Sequence, residues 1–554
     1  MKHFINSPES SVQELVDGLI LTYPKTLQKL ANHDIILKRD IPANKVTLLS
    51  GGGSGHEPSH AGWIGEGMLD GAILGGMFAS PSVKSILAGV RAVTPVGGPG
   101  CLLIVKNYTG DRLNFGMACE LANAEGRKCK MVVVADDCAV PRNKGATGAR
   151  GVCGTILVHK VAGAAALSGA SLTEVAELAN FVASRIGSLG VSIGGVCIPG
   201  QSQGRVEESE DCAMELGIGI HGEAGILKSP LLSAKEVSTK ILNTIVDFGY
   251  GKDGELRLKA GDNVAVVLNN LGATSSFEMG ILSKEVVSYL ESTLKCNVTR
   301  IYTGAFMTSF DMHGISVSVC CLDEGNRVAP LLDAATTAPA WAKSEVTDES
   351  PRSAALAPLE EVTAPESADD VASNAATDGK LSADTIGQIL RKVCNAILEA
   401  ESKLTEWDLI VGDGDCGITM KRGASEILTQ VDGGSLPLDN PVTLCLGLAD
   451  AVSQSMGGTS GILFELCFRK MASVLKSSPL DFVSAFQSGV DAVMFYGGAK
   501  AGYRTMLDAL VPAADALGTG GIAAAASAAN EGADSTAKMK VAMAGRSNYL
   551  SEDQ

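Results

Sequence analysis

The sequence predicts an α/β domain of two subdomains, followed by a flexible linker and an all-α domain. Short apolar strands alternate with turns and helical segments over residues 1–335. Residues 336–380 are rich in Ala, Ser, Thr, Pro and acids and hold few large apolar side chains, which is typical of a linker. Helical periodicity then continues almost throughout residues 381–554.

Composition limits the possible functions. The 554 residues include 45 Lys and Arg against 62 Asp and Glu, a net charge of −17, which argues against a nucleic-acid or anionic-membrane binder. The 14 cysteines are scattered and form no CxxC pair, so we interpret them as reduced thiols of a cytoplasmic protein. We expect no secretory signal and no transmembrane helix, because no uninterrupted apolar stretch approaches about 18 residues.

The alternation of strands and helices in the α/β domain predicts a mostly parallel sheet that is covered on both faces. We place the boundary between its subdomains near residue 185. The clearest predicted elements are a helix at Ser11–Thr22 and strands at Lys45–Ser50, Cys101–Val105, Met131–Ala135, Asn263–Asn269, Val298–Tyr302 and Ile315–Leu322.

Several loops that follow predicted strands are candidates for one ligand site, because ligands lie beyond the carboxyl ends of parallel strands. These loops are Gly51–His56, Ser80–Ser82, Lys106–Asp111 and Asp136–Asp137. A glycine-rich turn after a strand brings backbone N–H groups close to a ligand. His56 in this turn is as compatible with a structural role as with a functional one, whereas His221, between glycines in GIGIHGEAG, favours a functional role.

The acidic stretch WDLIVGDGDCG lies in the predicted all-α domain. Its Asp408, Asp413 and Asp415 are candidate Mg²⁺ ligands beside a nucleotide, because Mg²⁺ prefers carboxylate oxygens and shares its remaining positions with phosphates. A solvated Asx/Gly turn is the alternative. An EF-hand is excluded, since Ala424 stands where its twelfth-position Glu belongs. Two half-sites in unlike domains indicate a two-substrate transferase that closes over its reactants.

The predicted helices of the all-α domain are separated by glycine-rich breaks at Met456–Gly461 and Tyr496–Gly502. These helices are Ala383–Ser402, Gly447–Met456, Gly461–Leu475, Leu480–Tyr496 and Ala501–Ala516.

Eight segments together resemble the ATP-dependent dihydroxyacetone kinases, also called triokinases, in the order of that family. They are SGGGSGHEPSHAG, FASPS, KNYTGDRLNFGMA, GIGIHGEAG, LDAATTAPAW, GDGDCG, SMGGTSG and RTMLDAL. The resemblance implies a dihydroxyacetone-binding α/β domain (K type) and an ATP-binding helical-barrel domain (L type). It also implies phosphorylation of dihydroxyacetone, and of glyceraldehyde, within glycerol metabolism.

The family resemblance implies specific roles for the triose site. His221 would attack the ketone carbon and hold the substrate as a hemiaminal, and Asp111 would act as general base. His56 would be a further catalytic residue. The implied substrate-binding residues are Gly53, Ser54, Gly55, His56, Lys106 and Asp111.

For the nucleotide site the resemblance implies ATP and two Mg²⁺ ions held by Asp408, Asp413 and Asp415. Other residues would line the nucleotide pocket: Cys416, Thr459, Ser460, Gly497, Thr505 and Met506. It further implies a homodimer in which the helical domain of one chain serves the α/β domain of its partner.

Two alternatives remain open. Some members of the family also split FAD to cyclic FMN with Mn²⁺ in the nucleotide site. The other alternative is a triose-binding regulatory subunit with an impaired nucleotide site. Tyr503, Ile418 and Thr419 depart from the family pattern, and the Asp-Pro-Gly-Ala segment that would contact the nucleotide does not follow AGRSNYLSEDQ, so we expect a less efficient nucleotide site.

Overall fold

In the computed structural model the chain divides into two compact units, Met1–Leu359 and Glu360–Gln554. The structure describes residues 3–141, 148–199, 213–248, 258–347, 350–358, 382–545 and 548. The first unit contains two six-stranded sheets with helices, and the second is helical.

The first sheet of the α/β unit has the strand order β1-β2-β4-β3-β5-β6. Its strands are β1 (Leu27–Lys29), β2 (Ile35–Lys38), β3 (Thr47–Ser54), β4 (Gly71–Met77), β5 (Cys101–Lys106) and β6 (Cys129–Val134). The last four are mutually parallel, as predicted, while β1 and β2 add an antiparallel edge. The accompanying helices are α1 (Ser11–Thr22), α2 (Val83–Val93), α3 (Thr109–Ala124), α4 (Thr155–Leu167) and α5 (Leu172–Ser184).

The second sheet has the order β11-β10-β12-β7-β8-β9 and is mostly antiparallel. Its strands are β7 (Ile186–Ser192), β8 (Met214–Leu216), β9 (Leu227–Ser229), β10 (Asn263–Asn270), β11 (Asn297–Gly304) and β12 (Gly314–Cys321). Among the described strand pairs of this sheet, only β10 and β11 are parallel. The helices are α6 (Ala234–Asp247), α7 (Ser276–Ser292) and α8 (Ala329–Asp333). The apolar pattern predicts buried strands but does not distinguish their directions.

One core joins the two sheets. Helix α4 is buried along all but its last residue, and its Ile156 and Val161 pack in one cluster with Leu48 of the first sheet and Val267 of the second. Three helices of this unit begin at capping boxes, in which a Ser side chain and a Glu three residues later satisfy the first backbone N–H groups. The three boxes are Ser171/Glu174, Ser233/Glu236 and Ser275/Glu278.

Strand β3 continues through Gly51–Ser54, so the predicted turn begins later than the sequence indicates. The glycines explain this difference, because they allow close approach to neighbouring backbone. A Cβ on Gly53 would lie 2.6 Å from the carbonyl carbon of Phe78, and one on Gly51 would lie 2.3 Å from the carbonyl oxygen of Ile73.

The described part of the predicted linker contacts the α/β unit, unlike the free segment that its composition suggests. The Trp341 ring lies 4.8 Å from the Tyr302 ring, and Arg352 Nε donates to the carbonyl of Val298 at 2.8 Å. Residues 359–381 lie outside the described part of the chain.

In the described part of the second unit every regular element is a helix. The α-helices are α9 (Ala383–Val411), α10 (Cys416–Asp432), α11 (Pro441–Ser455), α12 (Gly458–Ser477), α13 (Phe482–Gly497) and α14 (Leu507–Ser535). Helix α9 extends beyond its predicted end and includes Asp408, and α12 begins early enough to include Thr459 and Ser460, which the sequence places in a loop.

One described helical stretch, Leu507–Lys538, is long and apolar enough to cross a membrane by length and composition alone. Gly521 has non-helical angles (φ 72°, ψ −167°) and divides this stretch into two helices. Neither part reaches the roughly 20 residues that a transmembrane helix needs.

Two helical glycines provide a matched test of the packing. A Cβ on Gly163 would lie 2.4 Å from Met68 Cα, whereas a Cβ on Gly280 would meet nothing within 4 Å. We expect Gly163→Ala to lower the free energy of unfolding by about 1–3 kcal/mol through overpacking. Gly280→Ala should raise it by about 0.5–1 kcal/mol, because alanine favours the helix. Urea unfolding measures both, and equal effects would contradict the packing of α4.

Candidate functional site

Two predicted site histidines from distant positions meet in the α/β unit. His56 follows β3, His221 lies in the turn between β8 and β9, and their Nε2 atoms are 3.1 Å apart. The side chain of His221 is 22% exposed, whereas His56 is fully buried. A ligand therefore has access to His221, while His56 supports it from within.

The outer ring nitrogen of each histidine has its own hydrogen-bond acceptor. His56 Nδ1 donates to the carbonyl of Thr308 at 2.8 Å, so its Nε2 is left with a lone pair directed at His221. His221 Nδ1 donates to Glu223 Oε1 at 2.9 Å, and the His221 backbone N–H donates to Glu223 Oε2 at 3.0 Å. Both rings are thus oriented by fixed acceptors.

His56 and Glu223 differ in charge because their surroundings shift their pKa values differently. Burial, together with the positive charges of Lys106 and His221, holds the pKa of His56 well below its usual range, so His56 is neutral at physiological pH. Burial alone would raise the pKa of Glu223, but the hydrogen bond and charge of His221 outweigh it and lower this pKa to about 2. Glu223 is therefore a carboxylate.

Aromatic rings form the walls around the histidine pair. Phe78 stacks on His56 with centroids 4.9 Å apart, and Tyr108 meets the His221 ring edge-on at 4.7 Å. Such rings exclude water from the Nε2 atoms and hold both imidazoles in place.

Asp111 and Lys106, also predicted from the sequence, flank Gly52 near the end of β3. The position of a Cβ on Gly52 lies 3.6 Å from Asp111 Oδ2 and 3.9 Å from Lys106 Nζ. Ser80 Oγ donates to Asp111 Oδ1 at 2.5 Å and fixes the carboxylate. Burial lowers the pKa of Lys106, and Asp111 and Glu223 oppose this shift. A carboxylate and an ammonium group therefore border a space that only glycine leaves open.

The remaining predicted triose-binding residues take part in the loop itself. Ser54 Oγ donates to the carbonyl of Gly75 at 2.7 Å, which commits this hydroxyl to strand β4. The Gly55 N–H donates to the Glu57 carboxylate at 2.9 Å. Gly53 lies against the backbone of Phe78, and its lack of a side chain allows the two backbone segments to approach each other closely.

Asp136 and Asp137 do not join this site, although the sequence places their loop beside it. Asp136 accepts hydrogen bonds from the N–H groups of Val152 and Gly154, both at 2.8 Å, at the start of α4. Asp137 forms an ion pair with Arg150, in which Oδ2 lies 2.5 Å from Nε. These carboxylates anchor the segment between the two sheets.

The second candidate site is the acidic cluster at the junction of α9 and α10. Oxygen atoms of Asp408, Asp413 and Asp415 lie within 4.8 Å of one another. Asp408 Oδ2 accepts from the N–H groups of Asp415 and Cys416 at 2.9 and 3.1 Å, which closes the loop between the helices. Three convergent carboxylates on a short loop fit a hard divalent cation such as Mg²⁺.

The other predicted nucleotide residues lie at helix ends in the same unit. Thr459 and Ser460 occupy the first turn of α12, after Gly457 and Gly458, which both have positive φ. Gly497 ends α13. Thr505 and Met506 precede α14, where the Thr505 N–H donates to Asp508 Oδ2 at 2.7 Å. The thiol of Cys416, next to the acidic cluster, has a raised pKa because of burial and the three nearby carboxylates.

Sequence reasoning missed the groups that orient the histidines. Glu223 stands two residues after His221, and that spacing in IHGE is a signal that could have identified it. Thr308 acts through its backbone carbonyl, and Phe78 through its ring, so neither residue type indicates the role.

Comparisons with known proteins follow the same division of the chain. Residues 17–340 match the family model described as the Dak1 domain, and residues 410–554 match the DAK2 domain. The chain is 41% identical to a Solanum lycopersicum protein named putative 3,4-dihydroxy-2-butanone kinase, with 100% of this chain and 94% of the relative covered. It is 39% identical to the Homo sapiens triokinase/FMN cyclase, with 99% and 95% covered.

A solved structure is similar over nearly the full length. It is the dihydroxyacetone kinase of C. freundii in complex with AMP-PNP and Mg²⁺, with a TM-score of 0.72, 34% identity and coverage of 97% of this chain and 95% of that chain. These similarities confirm the predicted fold class and the predicted family resemblance.

The acidic cluster makes a testable prediction. With Mg²⁺ at 100 times its dissociation constant, the protein should gain about 2.7 kcal/mol of stability. Asp413→Asn should lose most of this gain, because one of the three carboxylates that attract the cation is gone. The unfolding curve of the same variant without divalent ions is the reference for its gain.

Thermal unfolding with and without Mg²⁺ measures this effect, with exposed Asp439 as the matched site. An Asp439→Asn variant should keep the full gain from Mg²⁺. Equal gains in the two variants would contradict a cation site at the cluster.

Proposed function

Because this chain belongs to the dihydroxyacetone kinase family, we propose that it transfers the γ-phosphoryl group of ATP to dihydroxyacetone and to glyceraldehyde. The observation that carries the proposal is the pair of Nε2 atoms of His56 and His221, 3.1 Å apart, and the Asp111 carboxylate lies near Gly52 in the strand that leads to His56. The pair suits capture of a carbonyl, and the carboxylate suits activation of a hydroxyl.

In the first step His221 captures the carbonyl carbon of the substrate. Both ring nitrogens of His221 face acceptors, the carboxylate of Glu223 and the lone pair of His56, so the resting ring carries two protons. His56 takes the Nε2 proton and frees the lone pair of His221. That lone pair forms the C–N bond as the carbonyl π bond breaks, and the oxygen receives the proton back from His56. The product is a hemiaminal on a ring that keeps its Nδ1 proton and its positive charge beside the Glu223 carboxylate, so atoms and charge balance.

Capture of this kind selects for carbonyl compounds. Dihydroxyacetone and glyceraldehyde each offer an electrophilic carbon, whereas glycerol offers none and cannot form the C–N bond. Lys106 and the backbone around Gly53 would hydrogen-bond the hydroxyl groups of the bound triose.

In the second step the terminal hydroxyl oxygen of the triose attacks the γ-phosphorus of ATP. Asp111 receives the proton of that hydroxyl. The bond to the bridging oxygen breaks and ADP leaves. Ser80 holds the Asp111 carboxylate at 2.5 Å, which keeps one oxygen available as the base. Phosphoryl transfer depends mainly on positioning and charge neutralisation.

The helical unit would supply the nucleotide site. Asp408, Asp413 and Asp415 would hold Mg²⁺, and their convergence within 4.8 Å supports this role. Bound Mg²⁺ neutralises the phosphate charges of ATP. Thr459, Ser460 and the other helix-end residues would contact the nucleotide, and Cys416 would line its pocket.

A second activity is supported by the human relative, whose name includes FMN cyclase. We propose FAD splitting with Mn²⁺ in the same acidic cluster as the alternative function. Homodimerisation with exchange of the helical unit, and a cytoplasmic location, stay predictions from the family resemblance and from the free thiols of the described cysteines.

A coupled assay with ATP and Mg²⁺ tests the kinase. We expect turnover with dihydroxyacetone and none with glycerol. His221→Ala should abolish turnover because capture is lost, and Asp111→Asn should lower kcat by about 10²–10⁴-fold, the usual contribution of a general base. His33→Ala, in the turn before β2, is the matched control and should retain activity.

A folded His221→Ala variant with unchanged kcat/KM would overturn the covalent step. Wild-type protein that binds the triose but does not turn it over would instead favour a triose-binding regulatory subunit.

The FAD reaction provides an independent comparison. Splitting of FAD to AMP and cyclic FMN in the presence of Mn²⁺ should survive His221→Ala and be lost in Asp413→Asn, because only the acidic cluster serves it. Chromatographic detection of cyclic FMN measures it. Loss of both reactions in His221→Ala would contradict the separation of the two sites.

A further inference from the structure

A buried ion pair next to the histidine turn has no role in the steps above. Arg150 Nε lies 2.5 Å from Asp137 Oδ2, and the two residues are only 8% and 2% exposed. Burial raises the pKa of Asp137 to about 6, although Arg150 opposes that shift. Asp137 and Arg150 follow β6 of the first sheet in the chain. They therefore contact the His221 turn, which belongs to the second sheet, from the first half of the unit.

Arg150 contacts the turn that carries His221 at two points. Its Nη2 donates to the carbonyl of Gly217 at 2.7 Å. Its Nη1 and the Glu223 carboxylate lie against the same face of Gly219, 2.5 and 2.0 Å from the position a Cβ would take there. The absence of a side chain at Gly219 thus brings the guanidinium beside the carboxylate that holds His221.

We propose that Arg150, anchored by Asp137, is a positioning residue that fixes the Glu223 carboxylate and controls how readily His221 gives up its proton. The proposal rests on the proposed function, in which neutral His221 attacks the carbonyl. Arg150 touches neither His221 nor the reacting atoms, and it acts through Glu223.

The physical basis is competition for one carboxylate. Glu223 stabilises the protonated form of His221, and a neighbouring guanidinium reduces that stabilisation by drawing on the same negative charge. Without Arg150 the imidazolium would be paired with an uncompensated carboxylate, so His221 would lose its proton only at higher pH. Without Asp137 the guanidinium would be free to pair with Glu223, and the proton would leave at lower pH.

Other charged and titratable groups face His221 from every element around it, and each is unchanged by these substitutions. They are His56 from the loop after β3, Tyr108 from the segment after β5, Glu223 from its own turn, and Lys106 at the end of β5, whose Nζ lies over the Tyr108 ring. Shifts that follow substitution of Arg150 or Asp137 therefore report on this pair.

Two readouts test the proposal on the full-length protein. The first is an NMR titration of histidine ring nitrogens without substrate, with the His221 signal assigned by its loss in His221→Ala. The second is the pH profile of kcat/KM for dihydroxyacetone. Arg150→Met should move the His221 midpoint, and the acid limb of the profile, up by about one pH unit, the usual effect of losing a nearby opposite charge on the carboxylate.

Three further variants distinguish positioning from a general structural role. Arg150→Lys retains the charge and should keep the midpoint near the wild-type value. Asp137→Asn should move the midpoint down, which keeps the test decisive if Arg150→Met fails to fold. In a Glu223→Gln background, Arg150→Met should produce no shift, because the carboxylate through which it acts is absent.

Unchanged midpoints in folded Arg150→Met or in Asp137→Asn would overturn the inference. Failure of the proposed function gives a different result from failure of this inference. If only the proposed function is wrong, wild-type protein shows no turnover of dihydroxyacetone, while the NMR midpoints still shift among the variants.

Discussion

The hydrogen bond between His56 and His221 is the constraint on which the proposed site depends. The two residues stand 165 positions apart and come from loops of different sheets, yet their Nε2 atoms lie 3.1 Å apart. Only a shared core holds two sheets with that accuracy, and buried α4 provides it. Glycines in β3 and in the His221 turn allow close approaches that a Cβ would block.

The depth of burial differs between the two candidate sites, and the difference suits their chemistry. In the α/β unit a fully buried His56 remains neutral because the charged form is poorly solvated, so its Nε2 presents a lone pair to His221. In the helical unit the acidic cluster is largely exposed, so its carboxylate oxygens are accessible to a hydrated cation. Burial thus favours a neutral imidazole in the first site, and exposure gives a cation access to the second.

Sequence reasoning was most successful where chemistry is local. Asp408, Asp413 and Asp415 lie within eight consecutive residues, so their convergence follows from one turn. It was least successful for long-range geometry. The antiparallel second sheet, the anchoring of Trp341 and the approach of Arg150 to Gly219 depend on tertiary packing that no local pattern encodes.

Covalent capture of a ketone by His221 is tested most directly by NMR of the protein labelled with ¹⁵N in its histidine rings and mixed with [2-¹³C]dihydroxyacetone without ATP. We expect the bound carbon to become tetrahedral and to show coupling to a ring nitrogen, and this coupling should be absent in His221→Ala. Bound substrate that remains a ketone or its hydrate, with no carbon–nitrogen coupling, would contradict covalent capture.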